Sequence, residues 1–102
     1  MNSNLQGCRF YKAYLVNADF SGADIRGAAL EDTSMDGANL KNAIAAGSYF
    51  GASLLDVASI EGADFTDASI PLKTLPQVCA REDAKGTNPV TGVATAESLM
   101  CP

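Results

Sequence analysis

Residues 13–30 read AYLVNADFSGADIRGAAL, and neither common periodicity describes them. Gly22 and Gly27 argue against a helix, where an interior glycine is destabilising. The apolar residues do not alternate, as one buried face of a strand would require. They recur at every fifth position instead: Leu15, Phe20, Ile25 and Leu30 in one series, Ala13, Ala18, Ala23 and Ala28 in another.

Extended in both directions, the first series becomes Leu5, Phe10, Leu15, Phe20, Ile25, Leu30, Met35, Leu40, Ala45, Phe50, Leu55, Ile60, Phe65 and Ile70. Every member but Ala45 is large and apolar. The residues two places earlier, from Ser3 through Cys8 to Ala68, are all small. Two columns held in phase over so long a stretch constitute an internal repeat. Each pentad turns one large and one small side chain inward, and four pentads close one coil. Stacked coils pair main chain to main chain at about 4.8 Å, so each backbone group finds a partner. Residues four pentads apart then share a column. Ala45 leaves room there for Phe50 or Phe65. On this packing Ala45→Leu is tolerated or mildly stabilising, whereas Leu40→Ala costs about 2–5 kcal/mol.

The last residue of each pentad marks a corner. Gly7, Gly27, Gly47 and Asp67 form one corner column, and Gly22, Asn42 and Gly62 another. These residues accept the positive φ of a type II turn. Lys12, Asp32, Ala52 and Leu72 do not suit it, and Asn17, Gly37 and Val57 are mixed. On the outside, Lys41 and Glu61 are expected to stack as an opposite-charge pair, and Asp36 and Asp56 as a solvated like pair. Tyr14, Val16 and Leu54 are the candidate partner surface, with Ile44, Tyr49 and Val57 as further outward apolar residues.

The pattern A(D/N)(L/F)XX, seen in ADFSG (18–22), ADIRG (23–27), ANLKN (38–42) and ADFTD (63–67), resembles the pentapeptide-repeat proteins. The resemblance covers residues 3–72. It implies an all-β solenoid, a right-handed quadrilateral β-helix of about 3.5 coils and about 17 Å in height.

The period stops at Ile70-Pro71. Residues 73–102 are expected to form a helical cap, since the open end of a solenoid needs covering. One short helix is expected over 73–83, with Leu75, Val78 and Cys79 on one face. Turns follow at Asn88-Pro89 and Thr91-Gly92, and Thr95 is placed to cap a last helix through Met100. Residues 77–101 resemble the C-terminal extension of cyanobacterial and chloroplast-lumen pentapeptide proteins. Cys79 and Cys101 lie in the two short elements. The expected pairing is a disulfide stapling the cap, worth about 3 kcal/mol by loop closure; two reduced thiols or a reactive pair are the alternatives. A disulfide implies an oxidising compartment, the thylakoid lumen or the periplasm. Cys8 sits at an inward small position and reads as packing.

Composition narrows the function. The chain has 102 residues, a net charge of −5 and no histidine. The acidic balance argues against nucleic-acid binding, which needs clustered cations. No apolar run is long enough for a membrane span. The opening MNSNLQGCRF lacks the basic start and apolar run of a signal peptide, so Met1 reads either as the natural start or as the point where a targeting segment was removed. A nucleophilic triad would lack its base. No phosphate loop, nucleotide fingerprint or Cys/His cluster appears, so neither an enzyme, a cofactor nor a metal site is expected. The expected function is a structural or protein-interaction module of a photosynthetic organism. The alternative is a DNA mimic that binds a type II topoisomerase, suggested by the family and by nine acidic against four basic residues in 1–72. A homodimer through the uncapped N-terminal end is a further expectation.

Overall fold

The pentad period closes a coil at every fourth repeat. Parallel backbone bridges join Arg9 to Ala29, Ala29 to Tyr49 and Tyr49 to Ser69. Asp19, Asn39 and Ser59 form a second such series, and Asp24, Ile44 and Asp64 a third. The structure, a computed structural model, describes residues 6–10, 14–31 and 33–101. Within the coils the paired stretches are short. Among the described residues, only β1 (Ala29–Leu30) and β2 (Tyr49–Phe50) extend to two residues, parallel and in register. The ladder is nevertheless regular. Phe20 N–H donates to the Asn39 carbonyl at 2.8 Å, Leu40 N–H to that of Ser59 at 2.9 Å, and Asn39 N–H to that of Ala18 at 2.8 Å. The molecule is a β-helix solenoid.

Between bridges the chain turns. Ala23 N–H donates to the Phe20 carbonyl at 2.9 Å and Ala28 N–H to that of Ile25 at 3.0 Å. The residue before each donor has positive φ, 69° at Gly22 and 70° at Gly27. A three-residue bond with positive φ at the third position is a type II turn. The same sign occurs at Gly7, Gly47 and Asp67 and at Asn42 and Gly62, the two columns expected to carry it. The mixed column divides: Asn17 and Gly37 have positive φ, while Val57 is extended at −69°. In the remaining column Lys12 and Asp32 lie outside the described residues. One corner nearby closes differently, with the Thr33 hydroxyl donating to the Leu30 carbonyl at 2.7 Å.

The inward columns form the core. Phe20, Ile25, Leu30, Met35, Leu40, Phe50, Ile60 and Phe65 are buried, and Phe10, Leu15, Leu55 and Ile70 pack half-buried against them. Leu5 lies outside the described residues. Phe50 and Phe65 meet edge to face with ring centroids 5.6 Å apart, beside Ala45, which has no exposed surface.

One stretch breaks the period. Ala52–Asp56 forms a 3-10 turn. In the regular ladder Asn39 N–H donates to the Ala18 carbonyl and Ile44 N–H to that of Ala23, but it is Ala58, not Ser59, whose N–H reaches Ala38. That change is local, since Asn39 and Ser59 still pair in register; within the 3-10 turn Leu54 is fully buried and Leu55 half-buried, and Val57 is buried as well. Ala58, expected inside, is exposed.

The cap consists of α1 (Leu75–Cys79), α2 (Thr95–Ser98) and a narrow hairpin closed by an antiparallel bridge between Thr87 and Ala94. Both helices are shorter than expected. The N-cap of α2 is Ala94, not Thr95, and the Thr95 hydroxyl caps nothing. Thr95 is fully buried, and its N–H is committed to the Gly86 carbonyl at 3.0 Å.

Candidate interaction surfaces

The outward positions of each pentad have distinct tasks. The residue before the large apolar one is often Asp, Asn or Ser, and its oxygen accepts the N–H two positions on. Asn39 Oδ1 accepts from Lys41 N–H at 2.9 Å, Asp64 Oδ1 from Thr66 N–H at 2.9 Å, and Ser59 Oγ from Glu61 N–H at 3.3 Å. These are Asx-type turns that satisfy a donor facing away from the ladder. In the same position Asp24 receives two bonds from the Arg26 guanidinium, at 2.9 and 2.7 Å, and one from Gln6 at 2.7 Å. The Arg26 hydrogen bond holds the Asp24 carboxyl below its ordinary range. The expected Lys41–Glu61 pair is not among the ion pairs of the described residues, which include Arg26–Asp24 and Arg81–Asp83.

The candidate partner residues separate. Tyr14 is 85 % exposed and Val16 51 %, close together on one coil. Leu54 does not join them. It is fully buried, because the 3-10 turn exchanges its orientation with that of Leu55. Tyr49 is exposed, but Ile44 and Val57 are buried. The repeat gave no sign of three other exposed apolar residues. Leu72 and Met100 protrude at the capped end, 87 % and 85 % exposed, and Val90 at the hairpin tip. The break in period after Pro71 is a sequence signal for Leu72; nothing local singles out Met100.

The tail covers more than the end. Asn88, 1 % exposed, points its amide nitrogen at three carbonyls from two coils: Asn42 at 3.2 Å, Ala43 at 3.0 Å and Gly62 at 3.0 Å. Its oxygen accepts from Val90 N–H at 2.9 Å and Thr91 N–H at 3.0 Å. The hairpin therefore lies against the wall at Asn42, Ala43 and Gly62 and reaches Asp64, and Ile44, next to Ala43, is buried. Burial pushes the Asp64 carboxyl up, but bonds from Thr66 and Thr91 more than offset it and hold the group below its usual value.

At the end itself, cap groups stand where a further coil would. Ile60 N–H donates to Asp83 Oδ2 at 3.1 Å, Gly62 N–H to the Lys85 carbonyl at 3.0 Å and Phe65 N–H to Ser98 Oγ at 2.9 Å. The Arg81 guanidinium donates to the Leu55 and Val57 carbonyls, both at 3.0 Å, and to Asp83 at 2.7 and 2.8 Å. That Arg81 hydrogen bond lowers the Asp83 pKa against the opposing effect of burial, aided by the Ile60 N–H. Cys79 and Cys101 are joined in a disulfide with Cα atoms 5.6 Å apart. Cys8 is a half-buried free thiol. The described residues hold no group of three or more His, Cys, Asp or Glu placed to ligate a metal. None of their helices is long and apolar enough to cross a membrane.

The repeats match a known family. The family model for pentapeptide repeats matches eight copies over residues 1–37 and 33–70. A thylakoid lumenal protein of Arabidopsis thaliana, TL20.3, is 54 % identical over 44 residues, which are 43 % of this chain. The chain spans about 15 % of that relative's length. The crystal structure of a pentapeptide repeat protein from the Arabidopsis thaliana thylakoid lumen aligns over 97 % of this chain and 85 % of its own, with a TM-score of 0.48 and 26 % identity. With its repeats matched over residues 1–70, this chain belongs to the pentapeptide-repeat family.

Proposed function

We propose that the protein is a non-enzymatic protein-interaction module of the thylakoid lumen of a photosynthetic organism. The observation that carries this reading is the disulfide-closed cap on a repeat whose similar relative is lumenal, since stable disulfides belong to oxidising compartments. In this reading the pentads wind as a right-handed, four-sided helix of about 3.5 coils. Residues 3–72 form the coils and 73–102 the cap. The core stack, described from Phe10 to Ile70, makes the sides rigid. Function then rests with what the sides display, above all Tyr14 and Val16. A homodimer through the N-terminal end, where Phe10 and Leu15 are half-buried, would sediment at twice the 10.5 kDa chain mass. The topoisomerase alternative draws no support from the comparisons.

The test is affinity capture from lumenal extract with the wild-type chain and with Tyr14→Ser/Val16→Ser. The double substitution should lose a defined retained protein while the melting temperature is unchanged. An identical retained set for both proteins would remove these residues as the partner surface.

A further inference from the structure

We propose that the Cys79–Cys101 disulfide is a redox latch: its reduction releases the cap and uncovers the backbone donors of the last coil, while the coils themselves stay wound. In the lower coils Leu40, Asn42 and Ala45 donate their N–H groups to Ser59, Glu61 and Asp64 of the coil above. Ile60, Gly62 and Phe65 stand one coil further on, and only the cap receives them, through Asp83, Lys85 and Ser98. Apart from the disulfide, the cap is held to the coils by polar ties through Arg81 and Asn88 and by a small apolar contact. Its fully buried apolar anchors are Val78 and Leu99. Helix α1 has five residues and α2 four, too few to persist without tertiary support. Ser98, the acceptor for Phe65, lies three positions before Cys101 and depends most directly on the latch. Among the described residues, no ladder bond within the coils uses Cys79 or Cys101. Both cysteines are half-buried rather than sealed in the core. A dithiol would supply two electrons and two protons. The Cys79–Cys101 bond breaks, two thiols form, and the dithiol is oxidised to its own disulfide.

Amide hydrogen exchange of the full chain, oxidised and then reduced with dithiothreitol, tests this. On reduction the amides of Ile60, Gly62 and Phe65 should exchange roughly a hundredfold faster, the factor that loss of loop closure implies. Those of Leu40, Asn42 and Ala45 should keep their protection, and reoxidation should restore the first pattern. The double variant Cys79→Ser/Cys101→Ser should match the reduced protein and ignore dithiothreitol. If that variant does not fold, the exchange of the reduced wild-type protein decides. Unchanged protection at Phe65 after complete reduction overturns the proposal. So does equal loss at Leu40, Asn42 and Ala45, which would make the disulfide a plain staple of the whole fold.

Discussion

Asn88 shows how much one side chain can hold. Its carboxamide has one orientation compatible with its surroundings, nitrogen toward three carbonyls and oxygen toward two N–H groups. Asn88→Ala leaves several of these buried groups without partners, at about 1–3 kcal/mol each where no water replaces the amide. A net loss of about 2–4 kcal/mol is expected in urea denaturation. Asn88→Asp should be at least as damaging, because a carboxylate would face the carbonyls. If both variants unfold like wild type, the hairpin is not anchored through this residue. In the core, Leu40→Ala should cost about 2–5 kcal/mol and Ala45→Leu distinctly less. The ladder-bonded wall cannot collapse onto a cavity at position 40, whereas the Phe50 and Phe65 rings beside Ala45 can shift. Equal melting temperatures for the two would contradict that packing. The inward columns were legible residue by residue because the repeat imposes one environment on every fifth position. Asn88 was legible only as a turn residue, since its partners Asn42, Ala43 and Gly62 lie far back along the chain.

Among the elements, the corner columns Gly7, Gly27, Gly47, Asp67 and Gly22, Asn42, Gly62 have the positive φ expected of them, since it is a local preference of those residues. What lies above each corner is a separate matter. A Cβ added at Gly62 would collide with the Asn42 carboxamide one coil below, whereas one added at Gly47 meets open space. Both have positive φ, 76° and 68°. Gly47→Ala should therefore cost only its left-handed strain, about 1–2 kcal/mol, and Gly62→Ala clearly more; thermal melts of the two variants give the comparison. Equal losses would mean that the Asn42 side chain moves aside freely. The 3-10 turn at Ala52–Asp56 escaped the reading because Ser53-Leu54-Leu55 offers two adjacent leucines, either of which can fill the column. The 3-10 turn itself decides for Leu54. Helix α1 is shorter than expected because Arg81 leaves it to reach the Leu55 and Val57 carbonyls, and α2 because Met100 takes a positive φ of 59°.

Across the molecule, two carboxylates tie cap to coil, and both titrate below their ordinary value of 3.8. A depressed pKa means the fold prefers the ionised form. The stability contributed is complete above the ordinary value and is lost as pH falls through the lowered one. Melting temperature should thus hold steady from neutrality to about pH 5 and fall below about pH 4. Asp83→Asn should flatten that acid limb; an unchanged limb would show that the Arg81–Asp83 tie does not govern it. The coil is written into the sequence: its closure at every fourth pentad, its inward columns and most of its corners. Each of these rests on local preference and burial repeated along the chain, so each pentad restates the same constraint. Which nominally outward residues stay outside is settled only when the chain packs on itself. Ile44 is buried beside a hairpin closed at Thr87 and Ala94, Leu54 is turned in by a 3-10 turn, and Leu72 and Met100 are left bare at the capped end. Those outcomes depend on how the one aperiodic segment folds back over the periodic one, and no periodicity encodes that path.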